Sequence, residues 1–458
     1  MPRIDVAINS QTPPVSPRAG QPPPSGVWRL GRDYEPQLGG VVPMMRALLR
    51  TGLDRWIRRP ARWIALGAPG IPESITTDEG YILDTVQLSE QARKRYNRFK
   101  EAIWRSFHGP RGLVPSLDDF RGFVDYSQRS AMKLLGEVER HDLFYVNDFQ
   151  QVLVGGLIGP AAPALLRWHI PLDFRGYPEP VSRFFLKAME GFDGIIVSTQ
   201  RGLEELIQVG FNGRAFQMYP YIDPAEIPRA TPGELRAFAD AHGLGEGPII
   251  LTVGRMDPTK RQDLLIAALP RVRRHHPTVR LVIVGGTSFS TKAGGLGSSK
   301  ARDWRRYLER RVKTLGLGRE VVFTGVVSNR ELAAAYAAAD VFVHPAPWEG
   351  FGLVAIEAWT HGRPIIVSRG AGVAELVMDG VNGFTTPPGR VQALADQIVE
   401  ALDRPDRAER MGAAGAITAR RCHVDLAHAR HREIFERTIG LYERSGLRTG
   451  RPGRRWRP

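Results

Sequence analysis

From residue 248 onward the chain repeats one pattern: a short apolar run, a turn, then a stretch of helical spacing. PIILTVGRM leads into QDLLIAALPRV, VRLVIVGG into WRRYLERRVKTLG, VVFTG into RELAAAYAAA and DVFVHP into GLVAIEAWTHG, and PIIVS closes the series. Runs that are apolar throughout, rather than alternating, belong to strands covered on both faces. The intervening helices supply the crossovers that parallel strands require. The pattern therefore predicts a doubly wound parallel sheet. The first half shows the same alternation less regularly, in RIDVAI, RWIALGAP, LFYVND, ALLRWHIP and DGIIVSTQRGLEELI. Residues 225–247 turn polar and turn-rich between the two series.

A chain of 458 residues exceeds one ordinary core. The reading is an α/β protein with two Rossmann-like, doubly wound domains facing across a cleft. Residues 1–225 form the first domain, 226–247 a linker and 248–415 the second domain. Helices in 416–445 return to the first domain, and 446–458 is a basic tail. Open parallel sheets bind ligands at the carboxyl ends of their strands, so the cleft is the expected site.

The net charge of +15 comes from 63 Lys and Arg against 48 Asp and Glu; eight of the 63 are lysine. Such an excess favours anionic partners, among them nucleotides, sugar phosphates, lipid headgroups and nucleic acid. The tail RTGRPGRRWRP carries part of it and reads as a solvated end. One cysteine, Cys422, excludes a disulfide framework and a cysteine-rich metal site. No apolar run approaches the roughly 18 residues of a membrane span. The N-terminus lacks the order of a secretory signal, so a cytoplasmic location is expected.

Two stretches carry chemistry. In WEGFGLVAIEAW, Glu349 and Glu357 flank a Gly-Phe-Gly turn where a strand hands over to a helix. Gly350 and Gly352 allow close backbone approach. The first N–H groups of a helix starting at Gly352–Leu353 would stabilise an anion. Glu357, among Val354, Ala355 and Ile356, needs donors that sugar hydroxyls would supply. The structural alternative is a surface glutamate and an ordinary helix start. In LTVGRMDPTKRQDLL, Arg255 and Lys260 follow Gly254 on a strand–loop–helix junction, placed to neutralise a departing pyrophosphate. An unremarkable surface pair is the alternative.

Together VGRMDPTK, HPAPWEGFGLVAIEAWTHGRPII and SRGAGVAELVMDGVNGFTTPPG resemble the C-terminal half of retaining GT-B nucleotide-sugar glycosyltransferases, the group of sucrose-phosphate synthases and bacterial glycogen synthases. The first half, through RYNRFKEAIWRSFHG, YVNDFQQVLV and WHIP, is similar to trehalose-phosphate synthases and trehalose synthases. The likeness spans roughly residues 36–400 and is weakest before 90.

The resemblance implies a retaining hexosyltransferase that moves a hexose, most naturally glucose, from a nucleoside diphosphate sugar such as UDP-glucose to a sugar or sugar-phosphate acceptor to give trehalose or its phosphate; uridine, guanosine and adenosine donors stay open. It implies that Gly39 and Gly40 form a glycine loop under the donor phosphates, with Gly254, Gly350, Phe351, Gly352 and Leu353 also at the donor. His169 would contact the transferring sugar, Arg255 and Lys260 the diphosphate, Glu349 a sugar hydroxyl and Glu357 the ribose. Asp148 would hold acceptor hydroxyls, with Tyr96 and Trp104 as flat acceptor contacts. For His169, Tyr96 and Trp104 the alternative is a place in the core.

No cofactor or metal is expected beyond the nucleotide sugar itself, and no Asp-x-Asp occurs. Nucleic acid is not an expected partner. Two departures stand out: Asn147 replaces the usual histidine, and Gln11 occupies the place of an arginine that grips the acceptor's phosphate. Arg18, Arg29 or Arg32 would have to compensate. Residues 287–304 read as a long glycine-serine loop near the donor. Two other readings are a membrane-associated transferase with a lipid or polymer acceptor, based on the basic segment 44–63, and a nucleotide-sugar epimerase.

Overall fold

In the computed structural model, residues 3–18, 26–37, 40–68, 70–108, 116–174, 177, 179–286 and 296–444 are described. They divide into two compact units, residues 1–220 with 424–458, and 221–423.

The first unit is built on a sheet of nine strands among the described residues. Their spatial order is Ala215–Gln217, Gly194–Val197, Ala164–Trp168, Leu143–Asn147, Val6–Ser10, Ala61–Leu66, Tyr81–Val86, Ser74–Thr77 and Val27–Trp28. All pairs are parallel except Ser74–Thr77 with Tyr81–Val86. Leu143–Asn147, Ala164–Trp168 and Gly194–Val197 are buried at every position, because helices cover both faces of the sheet. Successive strands run outward in opposite directions from Val6–Ser10, so the order reverses between Val6–Ser10 and Leu143–Asn147. Helix Val424–Arg444 belongs to this unit; Tyr145 Oη lies 3.1 Å from His431 Nε2, beside the buried Phe435.

The basic segment 44–63 does not form a surface helix. Helix Val41–Gly52 buries Val42, Met44, Met45, Leu48 and Leu49, and Arg46 is drawn inside to pair with Glu79. Among the described residues no helix is long and apolar enough to cross a membrane.

Among the described residues the second unit has six parallel strands, in the order Val321–Gly325, Arg280–Val284, Ile249–Val253, Val341–His344, Ile365–Ser368 and Gly383–Thr386. That is the doubly wound order with its reversal between Ile249–Val253 and Val341–His344, where crossovers diverge and leave a crevice at the carboxyl ends. Residues 226–247 hold helix Pro232–His242, with a Thr231–Glu234 capping box, inside this unit. The expected loop at 287–304 is helical from 296, in Leu296–Thr314; residues 287–295 lie outside the described residues, as does the basic tail.

Candidate active site

The reversal in the second sheet puts the two sequence stretches side by side. Arg255 and Lys260 follow the strand Ile249–Val253, while Glu349 to Gly352 follow Val341–His344, its direct neighbour in the sheet. Gly254 N–H donates to Val284 O at 3.0 Å. The approach is so close that a Cβ on Gly285, whose φ is +136°, would stand 1.9 Å from the Gly254 carbonyl oxygen. A β-carbon at Gly254 itself would meet only the Lys260 stem, at 3.9 Å.

The loop after Gly254 is set by side chains. Asp257 accepts from Thr259 N–H at 2.9 Å and caps the short turn Pro258–Lys260. Burial would raise the Asp257 pKa, but Lys300, the Thr259 N–H and Arg255 hold it down to about 2. Lys300 Nζ lies 3.0 Å from Asp257 Oδ2. Gln262 ties the loop to the same helix, donating to Arg255 O at 2.9 Å while its Oε1 accepts from Trp304 Nε1 at 2.8 Å. Lys300, Trp304 and Gln262 escaped sequence reading because only the packing of helix Leu296–Thr314 brings them to the loop.

Lys260 Nζ pairs with Glu349 Oε2, and both side chains are 17% exposed. His344 Nε2 stands 3.6 Å from the same oxygen. Burial favours the neutral acid, yet the Lys260 ammonium and the His344 ring hold Glu349 well below the usual carboxylate range. His344 had one sequence signal, a polar residue ending the apolar strand DVFVH.

Gly352 has φ +105° and begins helix Leu353–Thr360 with no side-chain cap. Left-handed backbone there requires glycine. The loop is fastened from below, Gly372 N–H donating to Glu349 O at 3.0 Å and Val373 N–H to Phe351 O at 2.8 Å. Phe351 is buried beneath it. Glu357 accepts from Tyr336 Oη at 2.8 Å. Burial pushes its pKa up to about 7, against that hydrogen bond. The loop thus gathers an ammonium, an ionised carboxylate, a near-neutral carboxyl and an uncapped helix start, which suits an anion next to hydroxyl groups.

In the first unit two adjacent strand ends bring together Asp148 and His169. Asp148 follows Leu143–Asn147 and His169 follows Ala164–Trp168, adjacent parallel strands. Asp148 sits at φ +72°, unusual outside glycine. Its Oδ1 accepts from Phe149 N–H at 3.0 Å and from His169 N–H at 3.4 Å. Burial pushes Asp148 up to about 6, against these bonds and one from Gln150. Tyr96 is fully buried in the core, its ring 4.7 Å from Tyr126. Trp104 stacks on His108 with centroids 3.7 Å apart and stays half-buried. Gly40 precedes helix Val41–Gly52; Gly39 lies outside the described residues. Arg18 pairs with Glu35, and Arg32 with Asp33 at 3.0 Å, so both are engaged by local carboxylates.

Residues 237–417 match the family of glycosyl transferases group 1, so the second unit carries a group 1 glycosyl transferase domain. A GDP-mannose-dependent alpha-(1-6)-phosphatidylinositol monomannoside mannosyltransferase of Mycolicibacterium smegmatis is 35% identical over 183 residues, 38% of this chain and 44% of that one. D-inositol 3-phosphate glycosyltransferase 2 of Catenulispora acidiphila is 30% identical over 271 residues, 57% of this chain and 60% of that one. The chain thus spans roughly half the length of these curated relatives. Sucrose-phosphate synthase from Thermosynechococcus elongatus superposes with a TM-score of 0.70 at 21% identity, over 96% of this chain and 100% of that one. A trehalose-phosphate synthase from Burkholderia xenovorans, solved with glucose-6-phosphate, gives 0.75 at 18% identity, over 94% and 100%. The fold is GT-B, with two Rossmann-like domains.

Proposed function

We propose that this chain is a retaining glycosyltransferase that moves a hexose from a nucleoside diphosphate sugar to a sugar or sugar-phosphate acceptor. The observation that carries the proposal is the meeting of Lys260, Glu349 and the uncapped start of helix Leu353–Thr360 at the reversal point of the second sheet. Loss of a diphosphate from the anomeric carbon develops negative charge, and preorganised cations and N–H dipoles aimed at it lower the barrier. Arg255 and Lys260 would supply that charge. Glu349 would take a hydroxyl of the transferring sugar and Glu357 the ribose.

The leaving phosphate would accept the acceptor's proton on the face it vacates, so the reaction calls for no nucleophile–acid carboxylate pair and retains the anomeric configuration. With two cationic side chains assigned to the diphosphate, catalysis would need no metal.

Asp148 and His169 in the first unit would address the acceptor and the transferring sugar. The fold neighbours favour glucose and a trehalose-type product, since one was solved with glucose-6-phosphate. A second reading has its own support: the sequence relatives use GDP-mannose or act on inositol phosphate, which points to mannose as donor sugar or a polyol phosphate as acceptor. The deciding assay crosses UDP-glucose and GDP-mannose with glucose 6-phosphate, glucose, fructose 6-phosphate and inositol 3-phosphate, with products identified by NMR. An α-linked product from an α-donor supports the proposal. Donor conversion without transfer to any acceptor would overturn it in favour of an epimerase.

A further inference from the structure

The protonation of His169 can be read from its neighbours. Asn147 Nδ2 lies 3.2 Å from the Asn9 carbonyl oxygen and 3.2 Å from that of Tyr145. Carbonyl oxygens only accept, so the amide nitrogen must face them; turning the amide over would set oxygen against two oxygens. Asn147 Oδ1 is then left facing His169 Nε2 at 3.0 Å. An amide oxygen also only accepts, so Nε2 carries the proton. The other ring nitrogen, Nδ1, is buried and has no hydrogen-bond partner among the described residues. A proton there would leave a buried N–H without an acceptor.

The charged groups facing the ring are Arg167 and Asp148, whose Oδ1 accepts the His169 backbone N–H at 3.4 Å. Burial, and then Arg167, hold His169 well below the ordinary histidine range.

We propose that Asn147 is a positioning residue that fixes His169 as the neutral Nε2–H tautomer, so that the ring serves the site uncharged and not as a cation. A part for the ring in turnover rests on the glycosyl transfer proposed above; the tautomer does not.

The test uses the full chain labelled with 15N in its histidines, the His169 signals being assigned by their loss in His169→Gln. In the wild type, Nε2 should give a protonated, pyrrole-type signal and Nδ1 a bare, pyridine-type one, unchanged between about pH 5.5 and 8. Asn147→Asp sets a carboxylate beside Nε2 and should raise the ring's midpoint by roughly 1–3 pH units. With a hexose donor, kcat/KM of that variant should fall about tenfold one pH unit below the raised midpoint and recover above it, the ratio expected when most rings are cationic. A bare Nε2, or a wild-type ring titrating near its ordinary midpoint, overturns the proposal whether or not the variant folds. Absence of any transfer beside the expected spectrum removes the functional reading and leaves the tautomer standing.

Discussion

Replacing Lys260 by Met keeps the apolar stem and deletes one charge, which isolates the pairing with Glu349. With the ammonium gone, Glu349 retains, among the described residues, only His344, at 3.6 Å, against the burial that already favours its neutral form. Breaking a buried ion pair by removing one partner costs about 3–5 kcal/mol. Both side chains are 17% exposed, so water screens part of the loss and about 3 kcal/mol is expected. The cost must depend on pH. In the wild type Glu349 is held low, so its stabilising contribution is present above the unfolded carboxyl pKa and is lost only as pH falls through the lower folded value. In Lys260→Met burial takes over and the folded pKa rises above the unfolded one. The variant's penalty then grows as pH rises through that interval and shrinks on acidification, when the carboxyl takes a proton. Calorimetric unfolding of wild type, Lys260→Met, Glu349→Gln and the double variant at pH 5 and 7.5 measures this. The single variant should lose about 3 kcal/mol at pH 7.5 and about 1 kcal/mol at pH 5, and the double variant should recover most of the difference. Turnover should nonetheless fall about 10²-fold or more in both lysine variants, because the diphosphate has lost its cation. A penalty equal at both pH values, or a double variant no better than the single, would refute the pairing as drawn.

Arg255→Ala should also reduce turnover by about 10²-fold, measured at saturating donor, with little change in melting. Glu357→Gln should raise the donor KM more than it lowers kcat, while Glu349→Ala should do the reverse. Because burial pushes Glu357 up to about 7, it is protonated below that pH, so donor affinity in the wild type should increase as pH rises through 7 and stay flat in the Gln variant. Trp304→Phe removes the 2.8 Å bond to Gln262, which in turn holds the Arg255 carbonyl; a neutral hydrogen bond of about 1 kcal/mol predicts a loss in kcat/KM of about fivefold, and an unchanged value would detach that helix from the site. EDTA treatment should leave the initial rate unchanged, and recovery of lost activity on adding a divalent cation would contradict the metal-free reading.

What the sequence disclosed and what it hid divide along physical lines. Period and apolarity report strands and helices directly, so PIILTV, RLVIV, VFVH and IIVS fall where the structure places Ile249–Val253, Arg280–Val284, Val341–His344 and Ile365–Ser368. Motif spacing likewise exposed Glu349 and Lys260, because each follows a strand whose end must face the crevice. Spacing does not report partners. That Lys260 meets Glu349 depends on Ile249–Val253 and Val341–His344 being neighbours in the sheet, an order fixed by crossovers spanning the intervening residues.

The segment at 296–304 illustrates a further limit. Its glycines and serines read as loop, yet the residues are helical, since Trp304 and Lys300 gain partners in Gln262 and Asp257 that offset a poor intrinsic propensity. Tyr96 shows the converse. An aromatic at a suggestive spacing from Trp104 read as a sugar platform, while the packing of its helix against Tyr126 and Phe123 puts the ring wholly inside. Asn147 lies between these cases. Its identity was visible as a departure, but its consequence was not, because the orientation of an amide is decided by two backbone carbonyls on separate strands. An asparagine completes that arrangement, its NH2 donating to both carbonyls while its oxygen accepts from the ring, whereas a neutral histidine has a single N–H and could serve only one of the carbonyls. The asparagine at 147 therefore decides which proton His169 carries, its amide oxygen leaving the hydrogen to Nε2.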